Sequence, residues 1–317
     1  MSDLLTTDVL TALIAGGILA GVPLLFASLG EMVAERAGVL NIGLEGYMLI
    51  GAYFGFLVAY HGGNTFLGFL GGAAAGAAVS LIMVALCVQM GLDQIVVGIA
   101  ITLVAEGATA LIFDANFAES RPTLGATGRI DIPGLSQLPV VGGADTSDGS
   151  IFSQPPIVYI GLIIVALTAW TLRRTHWGLN IRAAGDKPSA LDAAGVSVVA
   201  TRAWATIFCG AMAGLGGAYL SITAAGLFED FITQGRGFIA IVLAMLARGK
   251  ALWVLIGSFV FGISLSISDV LQIAGVDIST DLVFMLPFVT VIVVLILFGR
   301  RSYLPAALAL PYVRGAR

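Results

Sequence analysis

Residues 94–113 read QIVVGIAITLVAEGATALIF, with one ionisable side chain, Glu106, in the whole run. As a helix rising 1.5 Å per residue, this run reaches ~30 Å, the thickness of the hydrocarbon core of a bilayer. It is too long for a strand and predicts a membrane-spanning helix. Similar runs occupy 9–29, 39–60, 66–90, 156–172, 203–224, 236–247, 252–270 and 282–298. The expected fold is therefore all-α, a polytopic transmembrane helix bundle of about nine spans, with eight to ten as the range. Composition agrees. Charged residues make up 11% of the chain and hydrophobic ones 58%. A soluble domain carries ~25% charge, and this chain has too little polar surface to cover one. The 41 glycines suit a bilayer, where small residues let helix backbones approach closely.

Several chemistries are excluded. Cys87 and Cys209 both lie inside apolar runs and suggest neither a disulfide framework nor a metal site. His61 and His176 are the only histidines and lack metal-ligand spacing. There is no Gly-x-x-x-x-Gly-Lys-Ser/Thr loop, since Gly249-Lys250 has neither the upstream glycine nor the hydroxyl. The chain is thus not expected to hydrolyse ATP itself or to bind a cofactor, and no nucleophile–base arrangement is readable. Met1 to Asp8 is acidic and lacks a basic n-region, so the first apolar run is expected to stay as a helix.

Lysine and arginine positions orient the spans, because cytoplasmic loops are enriched in them. Alternating through nine spans places twelve basic residues on one side, Arg36, Arg173, Arg174, Arg182, Lys187, Arg202, Arg248, Lys250, Arg300, Arg301, Arg314 and Arg317. Only Arg121, Arg129 and Arg236 fall on the other. The expectation is a cytoplasmic C-terminus, a cytoplasmic segment 173–202 and an external loop 114–155. That loop is rich in proline and glycine, and its length suits either an unstructured connection or a docking surface.

Two segments carry chemical information. In the cytoplasmic one, Asp186 is placed to cap a helix, Pro188 fits its first turn and Gly195 ends it. The product is a helix of about two turns, with Ala190 and Leu191, flanked by charge from Asp186 and Lys187. Its small residues suit a groove on another protein. In the second segment, Gly38, Gly43, Gly46 and Gly51 predict a discontinuous helix near 38–51. Broken helices are tolerated at membrane depth only beside protein or a wet cavity. Asn41 and Glu45, four apart, are expected on one helix face lining a path. Glu106 is the other ionisable candidate within a span. Gln94 opens its span, and Phe238, after Gly235 and Gly237, is a candidate to stack on a base.

These segments resemble permease subunits of ATP-binding-cassette importers of the ribose and branched-chain amino acid type. Residues 182–196 are similar to the family's coupling loop. Glu35-Arg-Ala-Gly-Val-Leu-Asn-Ile-Gly-Leu-Glu-Gly46 resembles the broken second helix of the nucleoside (simple sugar) subgroup, where sugar-type relatives carry an Asp-Leu-Ser-like version. Ala211-Met-Ala-Gly-Leu-Gly-Gly-Ala-Tyr219 and Gly235-Arg-Gly-Phe-Ile-Ala-Ile-Val-Leu-Ala-Met-Leu-Ala-Arg248 resemble two later signatures. The likeness covers roughly residues 28–300. One departure is Gly249-Lys250-Ala251, where the family often has an Asn-Pro-like turn.

The resemblance implies one transmembrane permease domain over 1–317, in a bacterial inner membrane. It implies alternating access for a nucleoside, or by the same mechanism a monosaccharide. It also implies an ATP-binding partner that uses the ATP and contacts Asp186, Lys187, Pro188, Ala190, Leu191 and Gly195. A second permease subunit, identical or similar, and an external substrate-binding protein complete the set, with membrane lipid around it and no nucleic acid. An ion-coupled secondary transporter is the competing class; it commonly shows paired broken helices, and the sequence reveals one.

Overall fold

The structure, a computed structural model, describes residues 7–117, 120–131, 152–273, 285, 289–293, 296 and 304–313. Helix α1 runs from Thr7 to Arg36 and α2 from Leu44 to Gly62. Helix α3 (Thr65–Met83) is capped by Asn64, whose side chain accepts from the amides of Phe66 and Leu67, and continues through a π-helical turn, Val84–Gln89. Helix α4 is Gln94–Phe117. A two-residue antiparallel pair joins β1 (Ile130–Asp131) to β2 (Ser153–Gln154). Then come α5 (Pro156–Arg174), α6 (His176–Asp186), α7 (Pro188–Ala193) and α8 (Val198–Tyr219), which ends in a second π-helical turn, Leu220–Ala224. Helices α9 (Arg236–Leu246) and α10 (Ala251–Ile273) follow.

The polytopic helical architecture is as expected; a count of nine spans is not established. Among the described residues five helical stretches are long and apolar enough to cross a membrane: Leu13–Arg36, Thr65–Gln89, Gln94–Phe117, Pro156–Arg174 and Val198–Ala224. The seventh expected span is α9, whose 11 residues reach only ~16 Å and cannot cross alone. The ninth, 282–298, lies mostly outside the described residues. Helix α1 continues past the apolar run that predicts it, because Glu31 and Glu35 are buried in protein, at 0% and 4% exposure.

Helix α8 is the axis of the bundle. In its spanning stretch 83% is buried, against 33% for α4 and for α5, which therefore face outward. It packs on α1, α2 and α3, and glycine makes the approach possible. A Cβ on Gly214 would strike the backbone of Gly72 and Gly76 on α3, and one on Gly217 would strike the Met48 carbonyl on α2. In a bilayer, lipid tails are as apolar as the helices, so this close packing supplies much of the attraction.

The cation-rich parts gather at one end. Arg36 donates to the Arg248 carbonyl, and Arg202 reaches Ala37, Ala184, Ala307 and Leu310. At the turn into Gly249-Lys250-Ala251, Arg248 and Gly249 are both left-handed, at φ 53° and 66°. Away from that end, the start of the 114–155 loop is packed down. The Leu124 amide donates to the Gly226 carbonyl, and the Tyr159 hydroxyl to those of Ile130 and Phe152.

Gly214→Val is expected to lower the stability of the purified chain by ~1–3 kcal/mol, the usual cost of overpacking a tight contact. Gly107→Val, at a glycine with open space where the Cβ would go, is the matched control and should leave the thermal unfolding midpoint unchanged.

Candidate functional site

The chain between α1 and α2 defines the interior. Helix α1 ends in a Schellman turn: Gly38 is at φ 91°, the Val39 amide donates to the Ala34 carbonyl and that of Gly38 to Glu35. Residues 39–41 then run without helical structure. Gly38 lies against Arg202 and Asn41 against Cys209, two turns further along α8. The segment thus climbs ~10 Å back into the bundle before α2 begins.

Backbone amides on such a path need acceptors, and side chains supply them. Gln94 Oε1 accepts from the Leu40 amide at 2.8 Å, and Glu31 Oε1 from the Asn41 amide at 2.9 Å. Asn41 Oδ1 accepts from the Gly43 amide at 3.1 Å. A sulfur completes a ring: Asn41 Nδ2 donates to Cys209 Sγ at 3.5 Å, and Cys209 donates to Glu31 Oε2 at 3.3 Å. Three helices, α1, α4 and α8, therefore converge on one break. Nearby, Glu35 Oε1 is buried without a hydrogen-bond partner among the described residues.

A second interruption faces the first. Between the end of α8 and the start of α9 the backbone is irregular, with Phe231 and Gln234 left-handed at φ 57° and 48°, a conformation unusual for residues other than glycine. Helix α9 then starts beside Glu45, whose carboxylate accepts from the Gly235 amide at 2.8 Å and the Gly237 amide at 2.6 Å. Glu45 also lies in the first turn of α2, so one carboxylate serves the amino-terminal ends of two helices, where the dipoles favour negative charge. From there α9 runs ~16 Å down to the level of Arg36, about half the hydrocarbon thickness. Helix α2 thus begins within the protein and α9 begins against it, with Gly237 buried and Gln234 and Phe238 exposed.

Of the candidate path residues, Asn41, Glu45 and Gln94 meet around these breaks. Asn41 and Glu45 do not share a helix face, however. Asn41 precedes the helix, which starts at Leu44, and the discontinuity is confined to 37–43, while 44–51 is regular helix. The glycines of that helix serve packing: a Cβ on Gly51 would overlap Gly214. Glu106 is half-buried on α4, and Phe238 is 46% exposed in the first turn of α9. Sequence reasoning missed Glu31, Glu35, Cys209 and Arg202. The two glutamates, four residues apart at the end of an apolar run, were the available signal.

At the cation-rich end α7 forms as expected, with two corrections. Its N-cap is Lys187, with no side-chain cap, because Asp186 is the last residue of α6. The segment also holds α6 itself, a helix that the sequence reading did not separate from the loop. The C-terminal end is a full Schellman turn: Gly195 at φ 81°, its amide on the Asp192 carbonyl and the Val196 amide on Leu191. Leu191 is buried against Ala184 and Val198, whereas Lys187, Ser189 and Ala190 are exposed. Helix α7 therefore rests on α6 and α8 and offers its small residues outward.

The architecture defines a class: a polytopic helical membrane protein with interrupted helices meeting in its interior. The sequence model of the family described as "Branched-chain amino acid transport system / permease component" matches residues 13–295, and the chain belongs to that family. It is the permease component of an ATP-binding-cassette importer. The guanosine ABC transporter permease protein NupQ of Bacillus subtilis is 34% identical, over 98% of this chain and 99% of that one. The nucleoside ABC transporter permease protein NupC of Lactococcus lactis is 30% identical, over 97% and 98%. A Haloferax volcanii protein provisionally named a glucose ABC transporter permease, TsgC13, is 36% identical over 83% and 77%. No solved structure matches.

Glu45→Gln keeps one acceptor oxygen for two amides that both need one. The expected cost is ~1–3 kcal/mol of stability, with slower transport at normal expression. Thermal unfolding and initial uptake rates on the same preparation check both.

Proposed function

We propose that the chain forms the transmembrane pathway of an importer for nucleosides, working by alternating access. The observation that carries this is the pair of relatives named for guanosine and for nucleosides, aligned over nearly the full chain. The polar breaks suit such a cargo, because nucleosides offer hydroxyls and base edges for hydrogen bonds. Asn41, Glu45, Gln94, Glu106 and Phe238 are the residues proposed along the path. A monosaccharide is the second reading, favoured by the relative named for glucose.

In this reading the chain binds no cofactor and is not catalytic. A separate ATP-binding subunit hydrolyses ATP and docks on α7 through Lys187, Pro188, Ala190 and the turn at Gly195, with Asp186 and Leu191 shaping the platform. A second permease subunit, identical or similar, encloses the pathway, and an external binding protein delivers cargo. Residues 173–202 and the C-terminus face the cytoplasm of a bacterial cell and 114–155 faces outward. The second interrupted helix, at α9, is a feature shared with secondary transporters, but family membership favours the ATP-driven class.

Cells expressing the assembled transporter are expected to take up radiolabelled guanosine in competition with other nucleosides and not with glucose. Competition by glucose alone would replace the cargo assignment with the monosaccharide. For orientation, single cysteines at Ser147 and Ser189, in a background lacking Cys87 and Cys209, should react with an impermeant thiol reagent on intact cells only at position 147. For docking, Ala190→Trp adds bulk to an exposed small residue and is expected to weaken ATPase association by ~1–3 kcal/mol. Stoichiometry of the co-purified ATPase reads it directly.

A further inference from the structure

Arg202 lies at the first turns of α8, 3% exposed, and donates in four directions. Nε bonds the Ala37 carbonyl at 3.1 Å, Nη1 that of Leu310 at 2.7 Å, and Nη2 those of Ala184 and Ala307 at 3.2 and 3.3 Å. All its hydrogen bonds among the described residues go to backbone carbonyls, and none to a carboxylate. Ala37 ends α1 at the turn that begins the break, and Ala184 is in the last turn of α6, which leads into α7. Both are carboxyl-terminal helix ends, where the dipole favours a cation. Ala307 and Leu310 belong to the C-terminal segment.

That segment is a strap across the same end. The Ala307 amide donates to the Gly185 carbonyl at 2.8 Å and the Ala309 amide to Gly38 at 3.1 Å, while Tyr312 packs with Leu191 and Val198. Gly185 is held so closely that a Cβ there would strike the Arg36 carbonyl. One guanidinium thus joins the α6–α7 unit, the turn that starts the interior break, the axial helix and the strap.

We propose that Arg202 is the positioning residue that transmits movement of α6–α7 to the α1–α2 break. This rests on α7 being the ATPase dock. Displacing α6 carries the Ala184 carbonyl with it. Because the planar fork holds its donors in fixed relation, the displacement is passed to Ala37 and into the extended residues beyond Gly38. Those residues bear Leu40 and Asn41, whose amides are bound by Gln94 and Glu31, so the interior breaks register what happens at the surface. A lysine keeps the charge but presents one ammonium on a flexible stem and cannot hold the same carbonyls in fixed geometry.

The test uses the complete transporter in liposomes and reads ATP hydrolysed per nucleoside imported. Arg202→Lys is expected to raise that ratio about tenfold, the size of effect that losing one hydrogen bond to a charged group carries. A purely structural residue would reduce the yield or unfolding midpoint of the complex and leave the ratio of the folded fraction alone. Deleting residues 304–317 removes two of the four carbonyls and leaves Arg202 in place, so it remains informative if Arg202→Lys does not assemble. It should raise the ratio as well, and combining the two should be less than additive. An unchanged ratio in the variants that assemble overturns the proposal. Ala190→Trp, measured alongside, separates the two readings. If it uncouples while the Arg202 and strap variants do not, only Arg202's role falls. If Ala190→Trp is silent and the Arg202 and strap variants uncouple, Arg202's role stands and the dock lies elsewhere than α7.

Discussion

The Leu40 and Asn41 amides, bonded to Gln94 and Glu31, are the contacts on which the interior depends. Hydrocarbon offers no hydrogen-bond partner, so every amide of a non-helical stretch at depth must find an acceptor in the protein. Here the acceptors come from α1 and α4, with Cys209 of α8 closing the ring around Glu31. The break is therefore an interaction among three helices that could not exist in α2 alone. It also explains why one acidic side chain, Glu31, lies fully buried inside an otherwise apolar helix.

Glu45 extends the same logic to α9. A helix that starts inside a membrane protein exposes amides with no intrahelical partner, and the carboxylate takes two of them. The two interrupted helices are thereby joined at their beginnings while their far ends diverge. The junction buries Glu45 against Gly237, while the left-handed Phe231 and Gln234 close by in sequence are exposed, as is Phe238. Irregular backbone at membrane depth needs polar partners of this kind within the protein.

Around this interior, glycine sets the distances. Helix α8 lies close enough to α2 and α3 that side chains are excluded at Gly51, Gly72, Gly76 and Gly214. Close backbones make a rigid axis, and the cation-rich end is fastened to it by Arg202. The outward helices α4 and α5 carry the exposed leucines and isoleucines that a lipid-facing surface requires.

The sequence alone determined the fold class, most apolar spans, the discontinuity after Gly38 and the small helix at Pro188–Ala193. Each is local: a run of apolar residues, a cluster of glycines, a proline and a glycine at the two ends of a helix. It also flagged Asn41, Glu45 and Gln94, because polar groups in apolar runs stand out. It did not reveal their partners. Asn41 was expected on a helix face, and tertiary packing instead stretched residues 39–41, since Glu31 and Gln94 offer acceptors that a helix would not have used. Glu31 and Glu35 escaped because they lie where the hydropathy falls, and only burial shows that the helix has not ended. Arg202 read as one more loop cation; its meaning came from four carbonyls brought together from distant parts of the chain. Local chemistry is legible in order of residues, whereas hydrogen bonds across helices depend on which surfaces the folded bundle makes adjacent.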